Sequence, residues 1–482
     1  MTSIDLREAA RKEMVREGFE PSFPADVLRE VEAISASATR AGGEVRDLRT
    51  LSWSSIDNPE SRDLDQVEFA ERLANGDTRV LVGIADVDSL VPAGSATDRH
   101  AGHNTTSVYC GVTVFPMLPE KLSTGLTSLN EQVDRLAVVI EFVVASDGTI
   151  RSREVYRALL RNTAQLDYPG VGGWLEGRSP APAKVAASAA LTEQLRMQDQ
   201  VAQALRTQRQ LAGALELETI EATPKTENGK VTDLELHRKN RGTDLIEDFM
   251  IAANVTMATF LTGKGSSSIR RIVKVPERWD RIVALALTVG EKLPPAPDSP
   301  ALAQFLIRRR AADPDHFPDL SLAVVKLMGP GEYALERPGQ PSQGHFGLAV
   351  QDYSHSTAPN RRYADLVTQR LLKAVVAGNT PAYGDDVLTA IAARCTLMED
   401  AARKVERAVR KQAAAELLAG RIGQSFEAIV TGASPKGTFV RTLQPPAEGM
   451  VVRGQQGMDV GDRVTVRLVD TNPARGFIDF AR

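Results

Sequence analysis

Apolar residues recur at helical spacing over positions 244–261, 363–377 and 387–419, and these stretches predict three long amphipathic helices. Two shorter helical patterns, 5–17 and 25–34, flank Gly18-Phe19-Glu20-Pro21-Ser22-Phe23-Pro24, whose prolines end one helix and open the next. The small, polar run 35–43 reads as a linker. Runs rich in β-branched residues at 79–85 and 136–145 predict strands, and Asp147-Gly148 turns the second into another at 149–156. Runs 215–222 and 230–237 flank Asn228-Gly229, a strong hairpin signal. The stretch 173–182 reads as a loop before a further helix.

After Gly420 the pattern changes to short strands with glycine turns, at 426–431, 437–442, 448–452, 463–469 and 476–480. Five strands in about 60 residues suit a small barrel of OB type, with another five-stranded barrel as the alternative. The chain therefore reads as α+β in three parts: a helical segment and linker over 1–44, a mixed α/β body over 45–420, and a barrel over 421–482. A length of 482 residues suits two or three domains.

Composition narrows the function. No 18-residue apolar run is free of charge, so no membrane span is expected, and the polar N-terminus lacks the apolar core of a secretory signal. Two cysteines, Cys110 and Cys395, cannot build a disulfide framework or a four-cysteine zinc site. The expected compartment is the cytoplasm. A net charge of −4 argues against nucleic acid, but its distribution does not. Residues 44–150 carry 17 acidic against 8 basic residues, whereas 421–482 carry 8 basic against 6 acidic. An acidic segment can hold cations and a basic one can follow phosphates; uneven surface charge is the competing reading.

The run Ser55-Ile56-Asp57-Asn58-Pro59-Glu60-Ser61-Arg62-Asp63-Leu64-Asp65-Gln66 is the most informative in the chain. Asp63 and Asp65 are two apart and share a side in an extended segment. Asn58-Pro59 favours a turn that swings Asp57 back toward them. Three converging carboxylates repel one another unless a cation lies between them, and hard oxygen ligands suit Mg²⁺ or Mn²⁺ rather than zinc. A solvated acidic turn, with Arg62 pairing a neighbour, explains the same spacing.

The stretch 56–65 also resembles the catalytic signature of the ribonuclease II / ribonuclease R family of exoribonucleases. Further blocks follow in matching order. They are Ile84-Ala85-Asp86-Val87, Ser107-Val108-Tyr109, Phe115-Pro116-Met117-Leu118-Pro119-Glu120-Lys121-Leu122-Ser123, Leu245-Ile246-Glu247-Asp248-Phe249, His345-Phe346-Gly347-Leu348-Ala349, and His355 to Leu366 followed by Gln369-Arg370-Leu371. The resemblance covers roughly 45 to 420. It implies an RNB-type catalytic domain with a C-terminal OB-fold RNA-binding domain. It also implies a Mg²⁺-dependent, processive 3′–5′ exoribonuclease (exoribonuclease II) that releases nucleoside 5′-monophosphates from single-stranded RNA by two-metal hydrolysis. An enclosed single-chain channel implies a monomer, and the 2′-hydroxyl makes DNA a poor substrate.

By position, Asp57, Asp63 and Asp65 match the family's metal-site aspartates, Tyr109 an aromatic that stacks on a base, and Arg361 an arginine that contacts the scissile phosphate. Arg362 lies beside it, and the pair opens a helix where cations are disfavoured. Glu406 matches a position near substrate. It shares a helical face with Arg403, Arg407 and Arg410, which is either a phosphate-tracking wall or a solvated salt-bridged face. Phe439, Arg441 and Arg453 are candidates for the RNA face of the barrel, with barrel core as the alternative for Phe439.

Three departures from the family stand out. Gln66 occupies the place of a fourth aspartate, and its amide oxygen can ligate Mg²⁺ without adding charge; weaker binding at one metal position is expected. The second family aromatic, expected near Ser266-Ser267-Ser268, is absent, leaving a residue such as Phe260 to close the base stack. Only about 45 residues precede the catalytic part, where the family usually carries cold-shock OB domains. A wider channel entrance with better access for partly paired RNA is the expectation.

Overall fold

The computed structural model describes residues 4–35, 44–218, 222–227, 230–236, 238–314, 316–380, 382–434 and 437–482. At its centre is a six-stranded sheet in the order Arg46–Asp47, Ile150–Asp167, Trp53–Asp57, Gln66–Arg72, Thr78–Ala85, Asp134–Val144. The strand Ile150–Asp167 is 18 residues long and also pairs with Asp134–Val144, so the sheet curls back on itself. Its N-terminal two-thirds runs antiparallel to Asp134–Val144, and its end runs parallel to Trp53–Asp57. Sequence patterning placed the end of this strand at 156. The continuation is studded with Arg161, Asn162, Thr163 and Gln165, whose polarity hides an alternating buried pattern.

The strands Trp53–Asp57 and Gln66–Arg72 were not legible as strands, because serines and charged residues interrupt both. They are neighbours in the sheet and run antiparallel. The loop between them is the acidic run, so the end of one strand and the start of the next deliver Asp57 and Gln66 to the same rim.

The helices Leu6–Arg16, Ala25–Ala33, Arg241–Gly263, Tyr363–Val376 and Asp385–Leu418 lie where the periodicity puts them, within a few residues. The stretch read as a loop from 173 instead begins inside a helix, Tyr168–Leu175. Asp167 caps it by accepting from the Gly170 N–H at 2.7 Å. Gly172 is required there, because a Cβ would collide with the Asn240 side chain. Asn240 in turn opens Arg241–Gly263 with a reciprocal capping box to Thr243. That helix is long and apolar enough to cross a membrane by composition, but 67% of its most apolar window is buried in the protein, which marks a core helix. Strands Ala222–Glu227 and Lys230–Leu236 pair as a hairpin, but the first arm is Ala222–Glu227 where patterning marked 215–222, and 215–218 carries no strand; the turn Asn228-Gly229 lies outside the described residues, as does most of the linker read at 35–43. Three helices that the proline-rich stretch 294–300 disguised, Trp279–Thr288, Ser299–Ala312 and Phe317–Met328, share a separate core around Ile282, Phe305 and Phe317.

The C-terminal strands close a five-stranded barrel in the order Ser425–Ser434, Gly437–Thr442, Glu448–Arg453, Phe477–Ala481, Arg463–Asn472. The 34-residue helix Asp385–Leu418 ties the molecule together. Leu388 and Ala392 enter the core of the sheet, Val405 and Val409 pack with Leu6 and Met14 of the N-terminal helix, and Ala415 and Leu418 enter the barrel core.

Arg441 does not lie on an open RNA face. It is 7% exposed and pairs with Asp319 of Phe317–Met328 at 3.1 Å, which binds the barrel to the helical insert. Arg441→Ala would strand a buried carboxylate, and removing one partner of such a pair costs about 3–5 kcal/mol. Denaturant unfolding of the variant is expected to show that loss; a change below about 1 kcal/mol would mean the pair is not buried in solution.

Candidate active site

Asp57 ends its strand, and the Asn58 N–H donates to its Oδ1 at 2.7 Å, the turn that Asn58-Pro59 predicts. The chain then returns through Arg62–Asp65 along a track set by Ser128. The Ser128 hydroxyl accepts from the Leu64 N–H at 2.9 Å and donates to the Arg62 carbonyl at 2.8 Å. The Leu129 N–H donates to the Leu64 carbonyl and the Ala85 N–H to the Asp65 carbonyl. Backbone bonds on both sides therefore fix Asp65, which is 1% exposed.

The Asp65 carboxylate has two different surroundings. Oδ1 accepts the Asn360 N–H at 3.0 Å. Oδ2 has no hydrogen bond and faces the Arg361 Nε at 3.2 Å. Burial pushes Asp65 up to about 7, against the pull of Arg361. Burial raises Asp57 as well. Although burial opposes it, the carboxylates of Asp65, Asp57 and Asp63 together hold the Arg361 guanidinium above its ordinary value. One arginine thus lies within electrostatic reach of all three aspartates, and half of its side chain stays open to solvent.

Tyr109 closes one side. Its hydroxyl donates to Asp63 Oδ2 at 3.3 Å, its N–H donates to Glu406 Oε1 at 3.2 Å, and it is 42% exposed. The structure therefore brings together Asp57, Asp63 and Asp65 of the acidic run with Tyr109, Arg361 and Glu406 from three distant stretches of the chain. Gln66 is buried at the start of its strand, beside Asp65.

Other expected residues are placed differently. Arg362 turns inward and grips Asp365 with two nitrogens, at 2.8 and 2.7 Å. Asp365 lies in the first turn of Tyr363–Val376 and also accepts the Ala358 N–H, so it offsets the cation at the helix start. Arg362 thus braces the loop that carries Arg361. Arg403 pairs with Glu399 and Asp400 on its own helix. Phe439 is 41% exposed on the barrel, so it is not barrel core, and Arg453 is exposed on a neighbouring strand. Ser268 begins a buried strand, and Phe260 packs partly buried against the main core with the Lys264 ammonium over its ring.

Sequence reading missed four residues of this region. Ser128 and Asn360 hold the aspartate loop by hydrogen bonds that no motif announces. Glu68 is completely buried in Gln66–Arg72, and Tyr168 is close enough for its phenol to feel both Asp57 and Glu68. The alternation Gln66-Val67-Glu68-Phe69 reads Glu68 as a solvent-facing position, and nothing in it signals burial.

Among the described residues no three His, Cys, Asp or Glu side chains are gathered closely enough to form a metal cage unaided. The donor set nevertheless fits a hard divalent cation. It offers carboxylate oxygens, one of them the buried Asp65 Oδ2, which accepts no hydrogen bond.

The chain matches the RNB domain over residues 45–378 and the RNase II-type exonuclease C-terminal S1 domain over 424–482. It is 31% identical over 444 residues to ribonuclease R 1 of Lactococcus lactis, covering 89% of this chain and 52% of that protein. It is 30% identical over 515 residues to ribonuclease R of Thermotoga maritima, covering 99% of this chain and 70% of that one. The chain thus spans about half the length of the first of these and more of the second. Its fold is similar to that of Mycoplasma genitalium RNase R in complex with ribose-methylated single-stranded RNA, with a TM-score of 0.88, 23% identity, and coverage of 99% of this chain and 78% of that one. The ordered motifs, the curled sheet with its aspartate rim and the terminal barrel agree with these matches: the chain belongs to the RNB-domain family.

Proposed function

We propose that this chain is a divalent-metal-dependent exoribonuclease that shortens single-stranded RNA from its 3′ end to nucleoside 5′-monophosphates, with Mg²⁺ as the cation and Mn²⁺ as a substitute. The observation that carries the reading is Asp65, a buried carboxylate with one unbonded oxygen, set against Arg361 within a group of three aspartates and beside an accessible tyrosine ring.

Asp57, Asp63 and Asp65 hold the cation, with the amide oxygen of Gln66 adjoining. When bound, a divalent cation there polarises the phosphate and supplies an activated water. Arg361 binds a non-bridging oxygen of the scissile phosphate with its planar fork and stabilises the charge that develops as the P–O bond breaks. Its Nε lies 3.2 Å from Asp65 Oδ2, a contact that orients the guanidinium. Tyr109 stacks on a base near the 3′ end. Glu406 fixes its backbone and Asp63 its hydroxyl, which orients the ring. Phe439 and Arg453 give the barrel a stacking and a cationic contact for incoming RNA.

A 5′-labelled single-stranded RNA tests the reading directly. With Mg²⁺, mononucleotides and a short labelled end product are expected, and EDTA is expected to stop both. A mobility shift without cleavage would instead make the protein an RNA binder. Tyr109→Ala removes a stacking platform worth about 1–3 kcal/mol per base, so KM on a short RNA is expected to rise roughly ten- to a hundredfold. Tyr109→Phe keeps the ring and is expected to stay near the unmodified protein; if both variants fail alike, the hydroxyl bond to Asp63 matters and stacking does not.

A further inference from the structure

Lys121–Leu126 is a π-helix, the wide helical form that is rare and recurs at functional sites. It delivers the chain into Thr127-Ser128-Leu129, all three buried. The Thr127 N–H closes the wide turn on the Leu122 carbonyl at 3.0 Å. Arg135, from the strand Asp134–Val144, ties the turn to the sheet. Its Nε donates to the Ser128 carbonyl at 3.0 Å and its Nη2 to the Gly125 carbonyl at 2.8 Å.

Two successive side chains of this anchored turn grip different loops of the site. Ser128 accepts the Leu64 N–H and donates to the Arg62 carbonyl, and the Leu129 N–H donates to the Leu64 carbonyl at 2.9 Å. The backbone on both sides of Asp63 is thereby held. The Thr127 hydroxyl donates to Asn360 Oδ1 at 2.6 Å. Asn360 is 1% exposed and immediately precedes Arg361. Its own N–H reaches Asp65 Oδ1, so the two loops also touch directly.

We propose that Thr127 and Ser128 are positioning residues that set the separation of the aspartates from Arg361, Ser128 by holding the aspartate loop for the cation and Thr127 by holding Asn360, and with it Arg361, for the phosphate. The proposal rests on the metal-dependent reading of the site. Two buried hydroxyls, one residue apart on one turn, serve two different parts of the chemistry, and their losses have different signatures.

The test compares Mn²⁺ affinity of the whole chain without RNA, read from the EPR signal of the free ion, with kcat and KM on a short single-stranded RNA. Ser128→Ala releases the aspartate loop. It is expected to weaken Mn²⁺ binding roughly ten- to a hundredfold, the range seen when groups that orient metal ligands are removed, with kcat recovering at saturating Mn²⁺. Thr127→Val keeps the shape and loses the hydrogen bond. It is expected to leave Mn²⁺ affinity unchanged and to lower kcat roughly ten- to a hundredfold at saturating metal, because a displacement of about 1 Å can cost about 10² in rate. Thr127→Ser keeps the hydroxyl and is expected to restore kcat. Ser128→Cys, with similar volume and a weaker donor, is expected to weaken Mn²⁺ binding in the same direction and stands in if denaturant unfolding shows that Ser128→Ala does not fold. If the unmodified protein binds Mn²⁺ and cleaves RNA, but the variants at 127 and 128 move both quantities together or move neither, the turn is plain structural support. The same holds if Thr127→Ser fails like the valine. Either result overturns the proposal while the metal-dependent function stands. If the unmodified protein binds no Mn²⁺ and cleaves RNA in EDTA, the metal-dependent function fails and the role of Ser128 falls with it.

Discussion

Asp65→Asn is expected to abolish RNA cleavage, lowering single-turnover rate by at least about a thousandfold, while RNA binding and folding persist. The magnitude follows from what the carboxylate does. A metal-held phosphate gains several kcal/mol of transition-state stabilisation, and each 1.4 kcal/mol or so is a factor of ten in rate. Folding persists for a separate reason. Asp65 is buried, one of its oxygens has no hydrogen bond, and its neighbours Asp63 and Asp365 repel it. The amide removes that repulsion and still accepts the Asn360 N–H through its oxygen. Guanidinium unfolding should therefore show a midpoint no lower than that of the unmodified protein. Cleavage within tenfold of normal would remove Asp65 from the chemistry, and a large drop in the midpoint would make its role structural.

The second large effect concerns Arg361. Arg361→Lys keeps one positive charge beside Asp65 but loses the planar fork that meets a phosphate with two parallel bonds. Loss of one well-placed donor to a developing oxyanion typically costs about 10²–10³ in turnover. That loss is expected in kcat, with KM little changed, because the bonds strengthen as charge accumulates. A variant whose KM rises while kcat holds would place Arg361 in ground-state binding alone. Arg361 owes its position to a loop pinned at several points. Ala358 N–H donates to Asp365, Asn360 N–H to Asp65, and Thr127 hydroxyl to the Asn360 side chain.

Sequence alone carried the long helices, the central pair of apolar strands and the terminal barrel, because their periodicities are regular and their turns are marked by glycine. It singled out Asp57, Asp63, Asp65, Tyr109 and Arg361 as candidates through ordered motifs. It did not carry their joining. The strands that present the aspartates are short and polar, and the partners of Asp65 come from positions 128 and 360, beyond the reach of any local pattern. The two arginines 361 and 362 look equivalent in sequence, yet one faces the aspartates and the other is spent on Asp365. Arg441 and Phe439 are two apart on one strand and share a face, yet the helix that carries Asp319 covers one and leaves the other exposed. These outcomes depend on which face a neighbour covers.

The helix Asp385–Leu418 has a consequence for how the molecule comes apart. At about 1.5 Å per residue it is a rod of roughly 50 Å, and successive stretches of it complete three hydrophobic cores. None of those cores can release it without exposing apolar surface in the others. The barrel is therefore no detachable module: a chain cut after residue 420 would end in Ala415 and Leu418 with nothing to cover them. Cooperativity of the whole is written into one continuous element, and Glu406, which fixes Tyr109, rides on that same rod.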